Sequence, residues 1–271
     1  MRATLACDSR SSRTAGDPPP VQRDLDMRFA LGLTALCLLA SPAIAQDSYD
    51  TDPPPLLEVS GGVELMSDYR FRGISRSDGD VAGKAWGELR HATGFYGGVS
   101  AYSVDVAPQF ADLEFEPYAG WSGSVLPLVD LDIGGARRIY VGAPGALATD
   151  YWEPYAAVVG VLGPAKLRLG AAYAPDQDSL GSDDNLYLSA DAEIGLPFSP
   201  LSFDAHVGHS DGPLSAQSLV GAGDSGTDWS AGVRYQFLPM LSAKLEYVGN
   251  DAPGIDGLTD DTVVGSVTFR F

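Results

Sequence analysis

Three histidines, His91, His206 and His209, are the only imidazoles in the chain. His206 and His209 look at first like a metal pair. Three residues apart in an extended strand they fall on opposite faces, so a shared ion requires the strand to have ended by His209. No Ser–His–acid set can be assembled without knowing which strands pair. The carboxylate groups Asp176, Asp178, Asp183, Asp184 and Asp256, Asp260, Asp261 invite comparison with calcium loops. The stretch from Asp176 to Gly181 lacks the remaining ligand pattern of an EF-hand, and solvated acidic loops are the expected reading. The expectation is therefore no enzyme, no metal and no cofactor.

The remaining chemistry is electrostatic. Charged residues recur at every second position between apolar ones. The basic members are Lys84, Arg90, Lys166, Arg168, Arg234, Lys244 and Arg270. The acidic members are Glu64, Glu88, Glu114, Glu116, Asp130, Asp132, Glu153, Asp191, Glu193, Asp204 and Glu246, an excess of four carboxylates. Both signs on one face, opposite a greasy face, describe the wall of a water-filled lumen or a network of paired charges inside it. The excess predicts a weak enrichment of cations.

The elements that would carry these residues are strands. Val263, Gly265, Val267, Phe269 and Phe271 alternate with Thr262, Ser266, Thr268 and Arg270. Period-2 patterning of this kind argues strand. It recurs from Asp228 to Phe237, Leu241 to Tyr247, Leu201 to Val207, Leu186 to Ile194 and Ala165 to Ala171. It also recurs from Val129 to Ile133, Leu113 to Trp121, Phe95 to Tyr102, Lys84 to Arg90 and Val59 to Leu65. Tyr151 to Val161 is apolar on both faces apart from Glu153, so its facing is ambiguous. These make twelve candidate strands, and no helix is needed.

Connections after even-numbered strands are short: Ala92-Thr93-Gly94, Gly123 to Pro127, Gly163-Pro164, Gly195 to Pro200 and Leu238-Pro239. Those after odd strands are longer: 68–80, 105–112, 136–150, 175–184, 209–228 and 249–261. This length alternation predicts an all-β, antiparallel, up-and-down transmembrane barrel of about twelve strands. A secreted soluble β-sandwich is the rival fold.

The N-terminus supports export. Met27-Arg28 followed by apolar Phe29 to Ala40 and then Ala43-Ile44-Ala45 reads as a signal peptide over 27–45. Residues 1–26 carry no targeting logic, and translation is expected to begin at Met27. A periplasmic linker over 46–57 would lead into a barrel over 58–271. Both cysteines, Cys7 and Cys37, lie before the cleavage site, so the mature chain has no thiol. Removing residues 1–45, with five basic and four acidic side chains, leaves a net charge of −20. That argues against nucleic acid as a partner.

Aromatic residues gather near the ends of the predicted strands. Phe95, Tyr96, Trp121, Phe198, Phe237 and Phe269 fall on the short-turn side, and Tyr69, Tyr151, Trp152 and Trp229 on the long-loop side. Interfacial belts favour such rings. Phe269 and Phe271 are the expected C-terminal assembly signal, read by periplasmic chaperones and the barrel-assembly machinery. Arg70, Arg72 and Arg76 concentrate basic charge in the first long loop. Local pairing with Asp68, Asp78 and Asp80 is the favoured reading. A constriction folded into the mouth, or contact with lipopolysaccharide phosphates, is the functional one.

Two stretches carry a family resemblance. Ser67-Asp68-Tyr69-Arg70-Phe71-Arg72-Gly73-Ile74-Ser75 and Gly94-Phe95-Tyr96-Gly97-Gly98-Val99-Ser100 resemble the TorF family of porin-like proteins, filed as the Gcw_chp family. The first stretch is the more specific. The match weakens at Leu113 to Trp121, where Pro117 occupies a ladder position. The resemblance implies passive passage of small hydrophilic solutes or ions across a Gram-negative outer membrane, and it supplies neither a substrate nor site residues. A closed barrel acting through its outer loops is the alternative.

Overall fold

The computed structural model describes residues 55–105, 111–142 and 149–271. The expected extension, signal peptide and most of the linker lie outside the described residues. Alternating side chains drive the chain into strands β1 (Leu57–Met66), β2 (Arg70–Phe71), β3 (Ile74–Ser75), β4 (Ala82–His91) and β5 (Phe95–Ser103). There follow β6 (Leu113–Leu126), β7 (Val129–Val141), β8 (Tyr151–Leu162), β9 (Ala165–Gln177) and β10 (Asp183–Gly195). The last are β11 (Leu201–Asp211), β12 (Ser225–Leu238), β13 (Leu241–Asn250) and β14 (Thr262–Arg270).

Twelve of these form one closed barrel, and β2 pairs only with β3. Every barrel strand runs antiparallel to its chain neighbours, and β1 closes the cylinder against β14 from Gly62↔Arg270 to Met66↔Ser266. Gly61 and Phe271 add a reciprocal pair of main-chain hydrogen bonds at 3.1 and 3.0 Å. Closure removes both sheet edges, which hydrocarbon demands because it offers no partner for a free N–H or C=O. The sandwich reading is thereby overturned.

The outward face is apolar. Val59, Leu89, Leu167, Leu169, Leu188, Leu245 and Val263 are all half or more exposed. Water would not tolerate a continuous surface of this kind, whereas lipid favours it. The ambiguous β8 resolves as well: Tyr151, Glu153 and Ala157 are buried inside while Trp152 and Val158 face out. Pro117 is accommodated without a register change, because the β6–β7 ladder skips residues 116 and 117 and resumes in step at Tyr118↔Ala136.

Several sequence expectations need correction. Strands run past their expected ends on the long-loop side, so β7 reaches Val141 and β9 and β10 leave only 178–182 between them. A 3-10 turn (Asp178–Leu180) and a short helix, α1 (Ala216–Leu219), occupy two loops where no helix was expected. Ser215 caps α1, its hydroxyl accepting from the Ser218 N–H at 3.0 Å. Three aromatics assigned to the interfacial belts are instead interior: Tyr69, Tyr96 and Tyr151 are 7, 9 and 4 % exposed. Phe95, Phe198, Phe237, Phe269 and Trp152 do face outward.

Candidate functional site

The first long loop does not stand in solvent. Its β2–β3 hairpin folds into the long-loop mouth of the barrel. Asp68 organises the root: its carboxylate accepts from Ser75 Oγ at 2.6 Å, Ser77 Oγ at 3.0 Å and Arg70 Nε at 2.5 Å. Asp68, Ser75 and Ser77 are all buried. Arg70 also donates to the Asp260 carbonyl at 2.6 Å, and the Ser75 N–H donates to the Leu258 carbonyl at 2.8 Å, tying the hairpin to the last long loop. The Ser67 N–H donates to the Gly265 carbonyl at 2.9 Å.

The hairpin tip needs two left-handed residues in succession, Arg72 (φ +52°) and Gly73 (φ +76°). This suits a two-residue turn matched to strand twist. Gly73 has a second reason to lack a side chain: a Cβ there would sit 2.9 Å from Asn250 Cβ and 3.1 Å from Asp228 Cβ. Arg72 has no such freedom, and a non-glycine residue held left-handed persists only where its surroundings hold it. Its guanidinium donates to Glu153 Oε1 on β8 at 2.7 Å and lies 4.1 Å from the Tyr187 ring centroid on β10. The tip is thus held by the opposite wall.

Tyr69 stacks on Tyr102 of β5, centroids 4.5 Å apart and planes within 10°. Its hydroxyl donates to Glu114 on β6 at 3.3 Å. Burial, with the nearby Glu114 carboxylate, pushes the Tyr69 phenol well above its usual range. Phe71 is faced by three guanidiniums, Arg138 at 4.0 Å, Arg72 at 4.8 Å and Arg76 at 5.5 Å from its centroid. Arg138 of β7 pairs in turn with Glu114, fully buried, and with Glu116 at 2.6 Å. The motif 67–75 is therefore a packed constriction. The expectation of local pairing holds for Arg70 with Asp68 alone. Among the described residues Asp78 and Asp80 pair with no arginine, because the loop's basic side chains turn inward.

Below the hairpin the lumen is not filled. One cavity of about 670 Å³ lies against β1, β4–β8 and β14, and two of about 320 and 310 Å³ lie against β9–β14. The fourteen lumen candidates all sit on the inward register. Lys84 and Glu116 line the cavity of about 670 Å³, and Lys166, Arg168, Asp191, Glu193, Lys244 and Glu246 a second. Arg234 borders the third and lies 3.5 Å from Asp204. Glu88 accepts from Tyr118, Asp132 from Tyr96 and Asp130 from Ser124, while Arg90 pairs with Glu88 at 2.9 Å. Glu114 lies higher, under the hairpin.

His206 and His209 do fall on opposite faces. His206 spans two carboxylates inside, Nδ1 to Asp191 at 2.6 Å and Nε2 to Asp228 at 3.1 Å. His209 contacts Thr227 Oγ1 on the exposed side. Arg138, Tyr187 and Asp228 are interior residues beyond the charged lumen candidates, as are the cavity-lining rings of Trp86, Tyr118 and Tyr155. Arg138 falls in the expected loop 136–150 and Asp228 where the expected loop 209–228 meets its strand, whereas β7 continues to Val141 and β12 begins at Ser225. Adding Arg72, Arg76 and Arg138 to the interior, with Asp228, halves the expected excess of four carboxylates.

The NanC porin has a similar fold at a TM-score of 0.55, with 10 % identity over 79 % of this chain and 100 % of that one. The KdgM porin, also solved in complex with disordered oligogalacturonate, matches at 0.51 with 8 % identity over 79 % and 97 %. At such identities the likeness is one of fold. No curated protein sequence matches the chain. The family described as "Bacterial protein of unknown function (Gcw_chp)" matches residues 51–267, the whole barrel up to the last residues of β14, and the chain belongs to that family.

Proposed function

We propose that the chain is an outer-membrane channel for small hydrophilic solutes and ions, with the hairpin as its constriction. The observation that supports this best is unfilled, charge-lined space of about 670 Å³ beneath the docked hairpin. A structural barrel has no need of a wet interior lined by both signs of charge, whereas a diffusion path does. The TorF name fits this reading. So does export through a signal peptide, followed by assembly guided by Phe269 and Phe271 through periplasmic chaperones and the barrel-assembly machinery. Lipopolysaccharide would then surround the outer loops. The remaining carboxylate excess makes a slight cation preference the expected selectivity.

Liposome swelling with sugars and amino acids tests the channel. Swelling at rates that fall with solute size supports it, and no swelling with a folded barrel overturns it. Reversal potentials in a salt gradient test selectivity, and a clear anion preference overturns that part. One observation favours the second reading, a closed barrel acting through its loops. The hairpin packs into an apolar cluster with Met66, Val104, Val248 and Val264, with Phe71 against it, at the mouth. In that case no solute would pass until the hairpin is removed.

A further inference from the structure

The geometry points to a saccharide-binding subsite on one wall of the lumen, where a pyranose ring stacks on aromatic faces laid flat by glycines. This rests on the lumen being open to solutes as proposed above.

Three interior rings each lie on the glycine directly opposite in the neighbouring strand. Trp86 pairs in register with Gly62, Tyr118 with Gly98 and Tyr155 with Gly134. A Cβ on Gly62 would meet the Trp86 ring at 2.5 Å, one on Gly98 the Tyr118 hydroxyl at 2.5 Å, and one on Gly134 the Tyr155 hydroxyl at 2.6 Å. With any other residue there the rings would have to rise into the lumen. Covering strand glycines with rings stabilises a sheet by itself. Here the rings also line one connected cavity of about 670 Å³, within the roughly 300–1,000 Å³ of small-ligand sites.

The polar surroundings select the ligand. The Tyr118 hydroxyl is engaged by Glu88 at 3.1 Å and that of Tyr155 by Tyr96 at 2.7 Å, so the rings are fixed and offer their faces. Ring faces are electron-rich and attract the polarised C–H groups of a sugar or a cation. Two cations, Lys84 and Arg270, line the same cavity, and Lys84 Nζ already stands 5.4 Å from the Trp86 ring and 5.0 Å from Tyr102. Two carboxylates, Glu64 and Glu116, line it as well, so the charges balance and exert no net pull on a cation. Lys84 and Arg270 suit hydroxyls or a carboxylate, and Glu64 and Ser100 add acceptors for sugar hydroxyls. The chemistry that fits is a mono- or disaccharide with an apolar ring face.

The test is tryptophan fluorescence of the detergent-folded barrel titrated with maltose, galacturonate and choline. Trp86 is the lumen reporter, and Trp121, Trp152 and Trp229 serve as the background. A saturable change with at least one of the two sugars at millimolar concentration is expected, and its loss in Trp86→Phe supports a signal from the lumen. Tyr118→Ala should weaken the apparent affinity about three- to tenfold, as loss of one stacking ring predicts, while Tyr118→Phe keeps it. Absence of any saturable sugar response overturns the subsite. So does a response that survives Trp86→Phe, or stronger binding of choline. Conductance without sugar reads the channel separately. A conducting barrel deaf to sugar overturns only the subsite, and a sugar-binding barrel that conducts nothing overturns only the channel.

Discussion

Replacing Arg72 by alanine isolates what holds the hairpin in the mouth. The Arg72 and Glu153 side chains are only 4 and 10 % exposed and meet at 2.7 Å. Deleting one partner of a buried pair leaves the other charge unpaired, at a cost of about 3–5 kcal/mol. The Tyr187 face at 4.1 Å contributes a further ~2 kcal/mol when desolvated. None of the barrel ladder passes through Arg72, so the loss falls on hairpin docking and not on the fold. Taking the pair alone, the docked-to-undocked ratio should fall roughly a hundred- to a few-thousand-fold. Hydrogen exchange over 68–77 should accelerate accordingly, and single-channel recordings should show a larger or noisier conductance. Arg72→Ala combined with Glu153→Ala should cost less than the two changes summed, because no buried charge is left over. Unchanged protection and unchanged current in Arg72→Ala would overturn its role in docking, and strict additivity in the double variant would overturn the pairing.

Gly73→Ala should also loosen the hairpin, by about 1 kcal/mol for the left-handed backbone and more for the 2.9 Å approach to Asn250, read by the same exchange experiment. On the outer face, Leu169→Arg should destabilise the barrel in vesicles by about 2–4 kcal/mol, whereas Ser230→Arg, on the lumen side, should fold; denaturant titration in lipid compares them. The raised Tyr69 phenol gives an alkaline prediction. Below the ordinary phenol value of about 10 the residue is neutral in both states and its docking contribution is complete. As pH climbs toward the folded value, the undocked form ionises first and the contribution is lost. Exchange over 68–77 should therefore speed up above about pH 10, and Tyr69→Phe should blunt the effect. A pH-independent hairpin would count against a buried Tyr69.

The strands, their inward and outward faces and their number were legible because every strand of the closed barrel sets an apolar exterior against a polar interior. That forces period-2 alternation onto the sequence itself, and Leu167-Arg168-Leu169 announces its own orientation. Hairpin turns and loop lengths are equally local, so the up-and-down order followed. Strand ends were not legible, since towards the long loops the strict apolar–polar alternation fades. Arg138 falls in an expected loop for that reason. What the motif at 67–75 does was decided only by tertiary structure. Asp68 with Arg70 is a local pair that spacing reveals. The Arg72–Glu153 contact joins residues far apart in the chain, and a wall that curves back on itself brings them together. The same closure sets Trp86 on Gly62 and Tyr155 on Gly134, because register between strands is a property of the closed sheet and is written in no single segment.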